Sequence, residues 1–250
     1  MKEFIYSRNA VYETLRAGRR QVFSLAIADG AQEKGRLKQI VQMAEERKIP
    51  VRRLPRATLD RIHSNHQGVL LETGGYPYVD LQDVFDLART RGEPLFVLIL
   101  DSLQDPQNLG TLLRTAEAVG IHGVLLPLAH AVEVTPAVVN ASSGASEHLL
   151  VVRANLHQAM RELKQAGVWM VGLEGESASG NEEQAQGPEK MRLDVPLGLV
   201  VGSEGSGMRP LVRRSCDLFL SLPMVGQVES LNAAVAGSVA LYLAYLARRK

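Results

Sequence analysis

Phe96-Val97-Leu98-Ile99-Leu100 is followed by Asp101-Ser102-Leu103-Gln104-Asp105-Pro106-Gln107 and then by Asn108-Leu109-Gly110-Thr111-Leu112-Leu113-Arg114. An apolar run gives way to a polar loop, and the loop to a helical pattern. The unbroken apolar run predicts a strand covered on both faces, as in a parallel sheet flanked by helices. A helix is expected from about Leu109 to Val119. Asn108 then stands near a helix N-terminus, where unpaired amides favour anions. Arg114 follows less than two helical turns on, and its planar fork suits a phosphate or a ribose. An ordinary cap and a surface arginine would look the same, so this stretch speaks to the fold before it speaks to function.

Strand-then-helix alternation continues downstream. Strands are expected at 123–126, 149–152, 168–173, 196–201 and 218–222, with helices near 137–142, 156–166, 210–215 and 232–248. That alternation implies a parallel sheet with functional loops at the strands' C-terminal ends. Residues 176–192 are polar and broken by Gly and Pro, and read as a surface insertion. Upstream, helix 7–15, strand 22–28, helix 35–48, strand 51–54, helix 57–62 and a final strand in 66–71 suggest a small α/β domain. Gly74-Gly75-Tyr76-Pro77 breaks the pattern. The expected organisation is a domain at 1–74, a linker at 75–94 that contains helix 81–91, and a second domain at 95–250.

Composition narrows the class. Hydrophobic content of 46% with 22% charged residues is ordinary for a soluble globular protein. The lone Cys216 excludes an internal disulfide framework and a cysteine-based zinc site, which fits a reducing cytosol. The six histidines show no ligand spacing, so no metal is expected. The first twenty residues carry charges throughout and contain no signal peptide. The longest apolar run, near Leu95–Leu100, is far shorter than the ~20 residues of a membrane span. A soluble cytoplasmic protein is expected. Residues 1–75 hold 14 Lys+Arg against 8 Asp+Glu, a balance of +6, and residues 76–250 hold 14 against 19, a balance of −5. A basic module joined to a mildly acidic one suits gripping a polyanion with one end and doing chemistry with the other.

Two further segments stand at strand ends. Val201-Gly202-Ser203-Glu204-Gly205-Ser206-Gly207-Met208 allows the backbone to turn tightly and approach a ligand. Its order is G-x-x-G-x-G, not the dinucleotide-binding G-x-G-x-x-G. Glu204, an acid at a strand tip, must face solvent, a partner or a substrate. Leu222-Pro223-Met224 can wrap a flat adenine with backbone groups in an apolar slot. It leads to Glu229-Ser230-Leu231-Asn232, where Ser230 and Asn232 precede the last helix and capping is an equally natural role. Together the three segments set Asn, Arg, Glu and Ser side chains beside exposed amides. Such a set suits a hydroxyl, a phosphate and an adenosine-bearing ligand, and points to group transfer and away from hydrolysis.

In order, and over nearly the whole chain, these segments resemble motifs one, two and three of the SpoU (TrmH-type) family in the SPOUT class of methyltransferases. Arg8-Asn9-Ala10-Val11-Tyr12-Glu13-Thr14-Leu15 and His66-Gln67-Gly68-Val69 resemble the substrate-binding domain of rRNA guanosine 2'-O-methyltransferases. The resemblance implies an α/β fold: a parallel-sheet catalytic domain with a C-terminal trefoil knot, a rare exception to unknotted connectivity, preceded by a small α/β RNA-binding domain. It implies S-adenosyl-L-methionine bound near Gly202, Leu222, Met224 and Leu231, and a homodimer with the active site close to its interface. Arg114, Asn108, Glu204, Ser230 and Asn232 match the family's catalytic positions, with Arg114 activating the ribose 2'-hydroxyl. A guanidinium hardly deprotonates in proteins, which leaves proton removal and oxyanion stabilisation both open. The implied substrate is a guanosine of large-subunit (23S) rRNA. The alternatives are tRNA, an rRNA adenosine, or a non-catalytic RNA-binding assembly protein. Leu109 and Thr111 depart from the residues common in the family, and segment 140–147 lacks a lysine often found there.

Overall fold

The computed structural model describes residues 2–129, 131–174, 185–203, 205, 207–227 and 230–249. The chain forms two compact units, Met1–Pro77 with Val134–His148, and Tyr78–Glu133 with Leu149–Lys250.

The first unit runs β1 (Glu3–Tyr6), α1 (Arg8–Ala17), β2 (Val22–Ala28), α2 (Arg36–Glu46), β3 (Val51–Leu54), α3 (Arg56–Asp60) and β4 (Val69–Thr73). Its sheet has the order β1-β4-β2-β3, with β4 antiparallel to both neighbours and β2 parallel to β3. The helices present the expected apolar faces: α1 buries Ala10, Val11, Thr14 and Leu15, and α2 buries Leu37, Ile40, Val41 and Ala44. β1 is absent from the expectations. It is only four residues long and runs almost directly into a helix, which leaves no room for a period of two to show.

The segment 134–148 belongs to this unit although it lies within the stretch expected as the second domain. It carries α6 (Pro136–Ala141, sixth helix in chain order) and a 3-10 turn over Ala145–His148. The wholly buried Arg20 side chain donates from Nε to Glu147 Oε2 at 2.8 Å and from Nη2 to Glu147 Oε1 at 3.0 Å, and its Nη1 donates to Glu3 at 2.6 Å. The Tyr76 hydroxyl donates to the Ser146 carbonyl at 2.8 Å. Gly144, at φ 87°, lies so close to α1 that an added Cβ would fall 2.5 Å from Glu13 Cβ. These contacts join residues far apart in sequence, so local pattern could not have placed the segment.

The second unit carries α4 (Leu81–Arg91), β5 (Phe96–Leu100), α5 (Pro106–Ala118), β6 (Gly123–Pro127), β7 (Val151–Ala154), α7 (Leu156–Gln165), β8 (Trp169–Leu173) and β9 (Ala185–Gln186). It ends with β10 (Leu197–Val201), α8 (Pro210–Ser215), β11 (Leu218–Leu220) and α9 (Ala233–Arg248). The sheet is parallel throughout, in the order β7-β6-β5-β10-β8-β11-β9. Every residue of β5, β6 and β10 is buried, which is why those strands read as unbroken apolar runs. From β5 the chain builds outward through β6 to β7, whereas β10 adds on the other side of β5 and is followed by β8, β11 and β9. The direction reverses between β5 and β10. In open parallel sheets, ligands bind outside the carboxyl ends of the strands at that reversal.

Candidate active site

The loops after β5 and β10 are neighbours at the reversal, and a third segment joins them from the start of α9. α5 begins three residues before the expected Leu109. Asp105 caps it, its carboxylate accepting from Gln107 N at 3.0 Å, and Pro106 occupies the first helical position. Asn108 therefore stands in the first turn. Leu109, Gly110, Leu112, Leu113 and Ala116 face inward, and Arg114 is exposed.

α9 lies close along α5. At Gly237 an added Cβ would fall 2.6 Å from Leu112 Cδ2, and Thr115 Oγ1 and Ser238 Oγ share a hydrogen bond of 2.9 Å. Asn232 caps α9, with Oδ1 accepting from Ala234 N at 2.9 Å and Val235 N at 3.2 Å. Its Nδ2 donates to Asn108 Oδ1 at 3.2 Å. Capping and a place in the site are thus both true of Asn232, one through each atom of its amide.

The glycine loop leaves β10 and folds back on itself. Ser203 and Gly207 exchange two backbone hydrogen bonds of 3.0 Å, and Ser203 Oγ adds one of 3.2 Å to the Gly207 carbonyl. Gly202 faces that return so closely that an added Cβ would lie 2.4 Å from Gly207 C and 2.5 Å from Met208 N. Gly205 and Gly207 have positive φ, and an added Cβ at either would meet nothing within 4 Å. The loop is therefore tight on its inner side and open on its outer one. Glu204 lies outside the described residues.

In the third segment Leu222 and Met224 are half-buried, whereas Ser230 and Leu231 are exposed. All four lie on the stretch that carries the chain from β11 to the Asn232 cap. Ser221, at its start, is buried, and its Oγ has no hydrogen-bond partner among the described residues. A buried hydroxyl without a partner is costly, and here it borders the segment expected to hold an adenosine. With the open face of the glycine loop, it fits a polar ligand carrying a flat apolar base.

Two residues of this region escape sequence reasoning. Asp101 follows β5 directly and its carboxylate is buried, held by Arg209 at the exit of the glycine loop. An acid just past an apolar strand looks like ordinary loop polarity, so only its burial marks it. Cys216 takes no thiolate role: burial pushes its thiol up to about 12. A cavity of about 520 Å³ opens beside Arg209, among Pro127, Leu128, Leu156, Pro210 and Leu211, and includes none of the motif residues named above. Among the described residues no group of three or more His, Cys, Asp or Glu could hold a metal ion, and no helix is long and apolar enough to cross a membrane.

A parallel sheet whose order reverses between β5 and β10, with a folded-back glycine loop and an asparagine pair at that reversal, defines the class as a parallel α/β protein. The SpoU rRNA Methylase family matches residues 95–242, and the family of RNA 2'-O ribose methyltransferase substrate-binding domains matches residues 4–79. YacO of Bacillus subtilis, a protein named for the TrmH family of tRNA/rRNA methyltransferases, is 40% identical over 248 residues, 98% of this chain and 96% of that one. The structure of the SpoU methyltransferase AviRb from Streptomyces viridochromogenes, in complex with AdoMet, aligns with a TM-score of 0.80 at 22% identity, over 99% of this chain and 91% of AviRb. The AdoMet-bound rRNA methyltransferase from Sinorhizobium meliloti aligns with a TM-score of 0.77 at 22% identity, over 97% of this chain and 86% of that one. The chain belongs to the SpoU (TrmH-type) family of RNA 2'-O-ribose methyltransferases.

Proposed function

We propose that this protein transfers a methyl group from S-adenosyl-L-methionine to the ribose 2'-oxygen of a guanosine in 23S rRNA, or in a precursor of the large ribosomal subunit, in the cytoplasm. The observation that carries the reading is the Asn232–Asn108 hydrogen bond, which brings the third motif against the first beside the helix that bears Arg114. The open face of the glycine loop and the buried hydroxyl of Ser221 fit the cofactor. Gly202, Leu222, Met224 and Leu231 would hold it. When bound, it supplies an activated sulfonium methyl, so alignment of the acceptor accounts for much of the rate.

In this reading Asn108 and Asn232 hold one another in a fixed orientation and position the nucleotide. Arg114 projects from the same helix and stabilises negative charge as it develops on the 2'-oxygen. A guanidinium suits that task better than proton removal. Glu204 and Ser230 orient the acceptor or its neighbouring phosphate. The first unit, whose residues 1–75 carry the positive balance, grips the RNA backbone, and the second unit, which includes α4 of the expected linker, performs the transfer.

The trefoil knot belongs to the same reading, with the C-terminal segment of the catalytic domain threading a loop. So does a homodimer. Val235, Val239, Tyr242 and Leu246 form an exposed apolar stripe along α9, beginning beside Asn232 and continuous with Leu231.

Ribose-methylation mapping of total RNA from cells with and without the gene tests the proposal. One guanosine of 23S rRNA should lose its 2'-O-methyl group in the cells lacking the gene. Loss at a tRNA nucleotide or an rRNA adenosine would move the substrate within the family's chemistry, and an unchanged map would reject the transferase reading.

A further inference from the structure

Asp101 sits one residue past β5 with its side chain wholly buried. Its backbone N–H donates to the Val201 carbonyl at 2.8 Å and so adds a last rung to the pairing of β5 with β10. Its carboxylate accepts from the Arg209 backbone N–H on Oδ2 and from Arg209 Nε on Oδ1, each at 2.7 Å, and from the Ser102 hydroxyl at 3.2 Å. A buried carboxylate is tolerated only when paired and hydrogen-bonded, and three donors meet that condition here.

Both ends of the glycine loop are thereby fastened to one residue. Val201, which enters the loop, is held by the backbone of Asp101, and Arg209, which leaves it, by the side chain. Between them the loop is closed by the Ser203–Gly207 pair. On its other flank Asp101 is followed by Ser102, whose φ of 63° turns the chain toward the Asp105 cap and Asn108. One carboxylate therefore sets where the glycine loop stands relative to the helix that carries Asn108 and Arg114.

We infer that Asp101 is a positioning residue for methyl transfer: by gripping Arg209 it holds the glycine loop in the form that binds S-adenosylmethionine. The inference rests on the reading of that loop as the cofactor loop. An asparagine at this position would keep the shape but present an amide N–H₂ toward one of the Arg209 donors. The exit of the loop would then be free to move, and ligand binding would have to order it, which lowers affinity. The reacting groups would be untouched.

The test is S-adenosylmethionine binding to the full chain by calorimetry, with methylation kinetics on rRNA from cells lacking the gene, for D101N, R209Q and the double variant. Each single variant should raise the dissociation constant about tenfold, the effect of one charge-assisted hydrogen bond, while kcat at saturating cofactor stays within about threefold. R209Q removes the Nε contact and keeps the backbone N–H one, so the double variant should bind no worse than D101N, because the Arg209 side chain acts on the loop only through Asp101. Unchanged affinity in folded D101N, or additive losses in the double variant, overturns the inference. R209Q alters a partly exposed side chain and carries the test by itself where D101N does not fold: wild-type affinity there overturns it too. No binding by the unaltered chain would instead reject the cofactor reading, and this inference with it.

Discussion

Asn232 donates a hydrogen bond to Asn108 across 124 positions of sequence while its own carbonyl caps α9. The two roles separate by substitution. Asn232→Ser keeps an oxygen that can cap but is too short to reach Asn108, whereas Asn232→Ala loses both. Alanine should cost about 1 kcal/mol in urea unfolding, and serine only a few tenths. Methyl transfer should fall by at least about tenfold in both. Activity that tracked stability, with serine behaving as wild type, would reduce Asn232 to a cap.

Arg114 is exposed on α5, a position where replacement by alanine, a strong helix former, should change stability by less than about 0.5 kcal/mol. Methyl transfer should fall about 10²- to 10³-fold if the guanidinium stabilises the developing oxyanion. Lysine should not restore it, because a point charge lacks the planar fork. Circular dichroism and S-adenosylmethionine affinity should both match wild type. Normal turnover in well-folded Arg114→Ala would remove the residue from the mechanism.

His122 makes stability depend on pH. Its ring is buried, Nδ1 accepts from Phe96 N at 3.0 Å, and Nε2 faces Glu93 at 3.1 Å. The Nδ1 contact assigns the proton of the neutral ring to Nε2. Burial, helped by the nearby Arg91 charge, holds the ring below its ordinary value of about 6.5. Below that value the unfolded chain takes up a proton that the folded chain refuses. The stabilisation from His122 is thus present above about pH 6.5 and is lost as pH falls toward the folded value. Urea midpoints from pH 7.5 to 5 should drop for the wild type and flatten for His122→Gln. Equal slopes in the two proteins would assign the dependence elsewhere.

Arg20 and Glu147 are both essentially inaccessible to water and paired bidentately. Glu147→Ala would leave a buried guanidinium with Glu3 as its carboxylate partner, and should cost about 3–5 kcal/mol in chemical denaturation. Removing both charges together, as Arg20→Met with Glu147→Leu, should cost less than Glu147→Ala alone. A double variant worse than the single one would mean that the pair contributes net stability beyond cancelling its own desolvation.

Much of the fold was legible because its strands are buried on both faces. Phe96–Leu100 and Leu197–Val201 read directly as apolar runs, and Leu81–Arg91 as a helix between Gly and Pro. β1 was not legible, being too short for periodicity. Nor was the membership of 134–148 in the first unit, which depends on Arg20 meeting Glu147 over 127 positions. At the site, the asparagines and the glycine loop stood out by residue type at strand ends. Asp101 and Arg209 did not, because a buried acid and a surface acid share one letter, and burial is a property of the folded chain.

The pairing of Arg20 with Glu147 also has a consequence in time. Residue 77 closes the first stretch of its unit and residue 148 the second, so 148 − 77 = 71 further residues must leave the ribosome before Arg20 meets its partner. At roughly 5–20 residues per second, about 4–14 s pass between the emergence of residue 77 and that of the segment carrying the carboxylate that pairs with Arg20. The birth order of the polypeptide thus keeps the first unit incomplete until residues 78–133 of the second have been made.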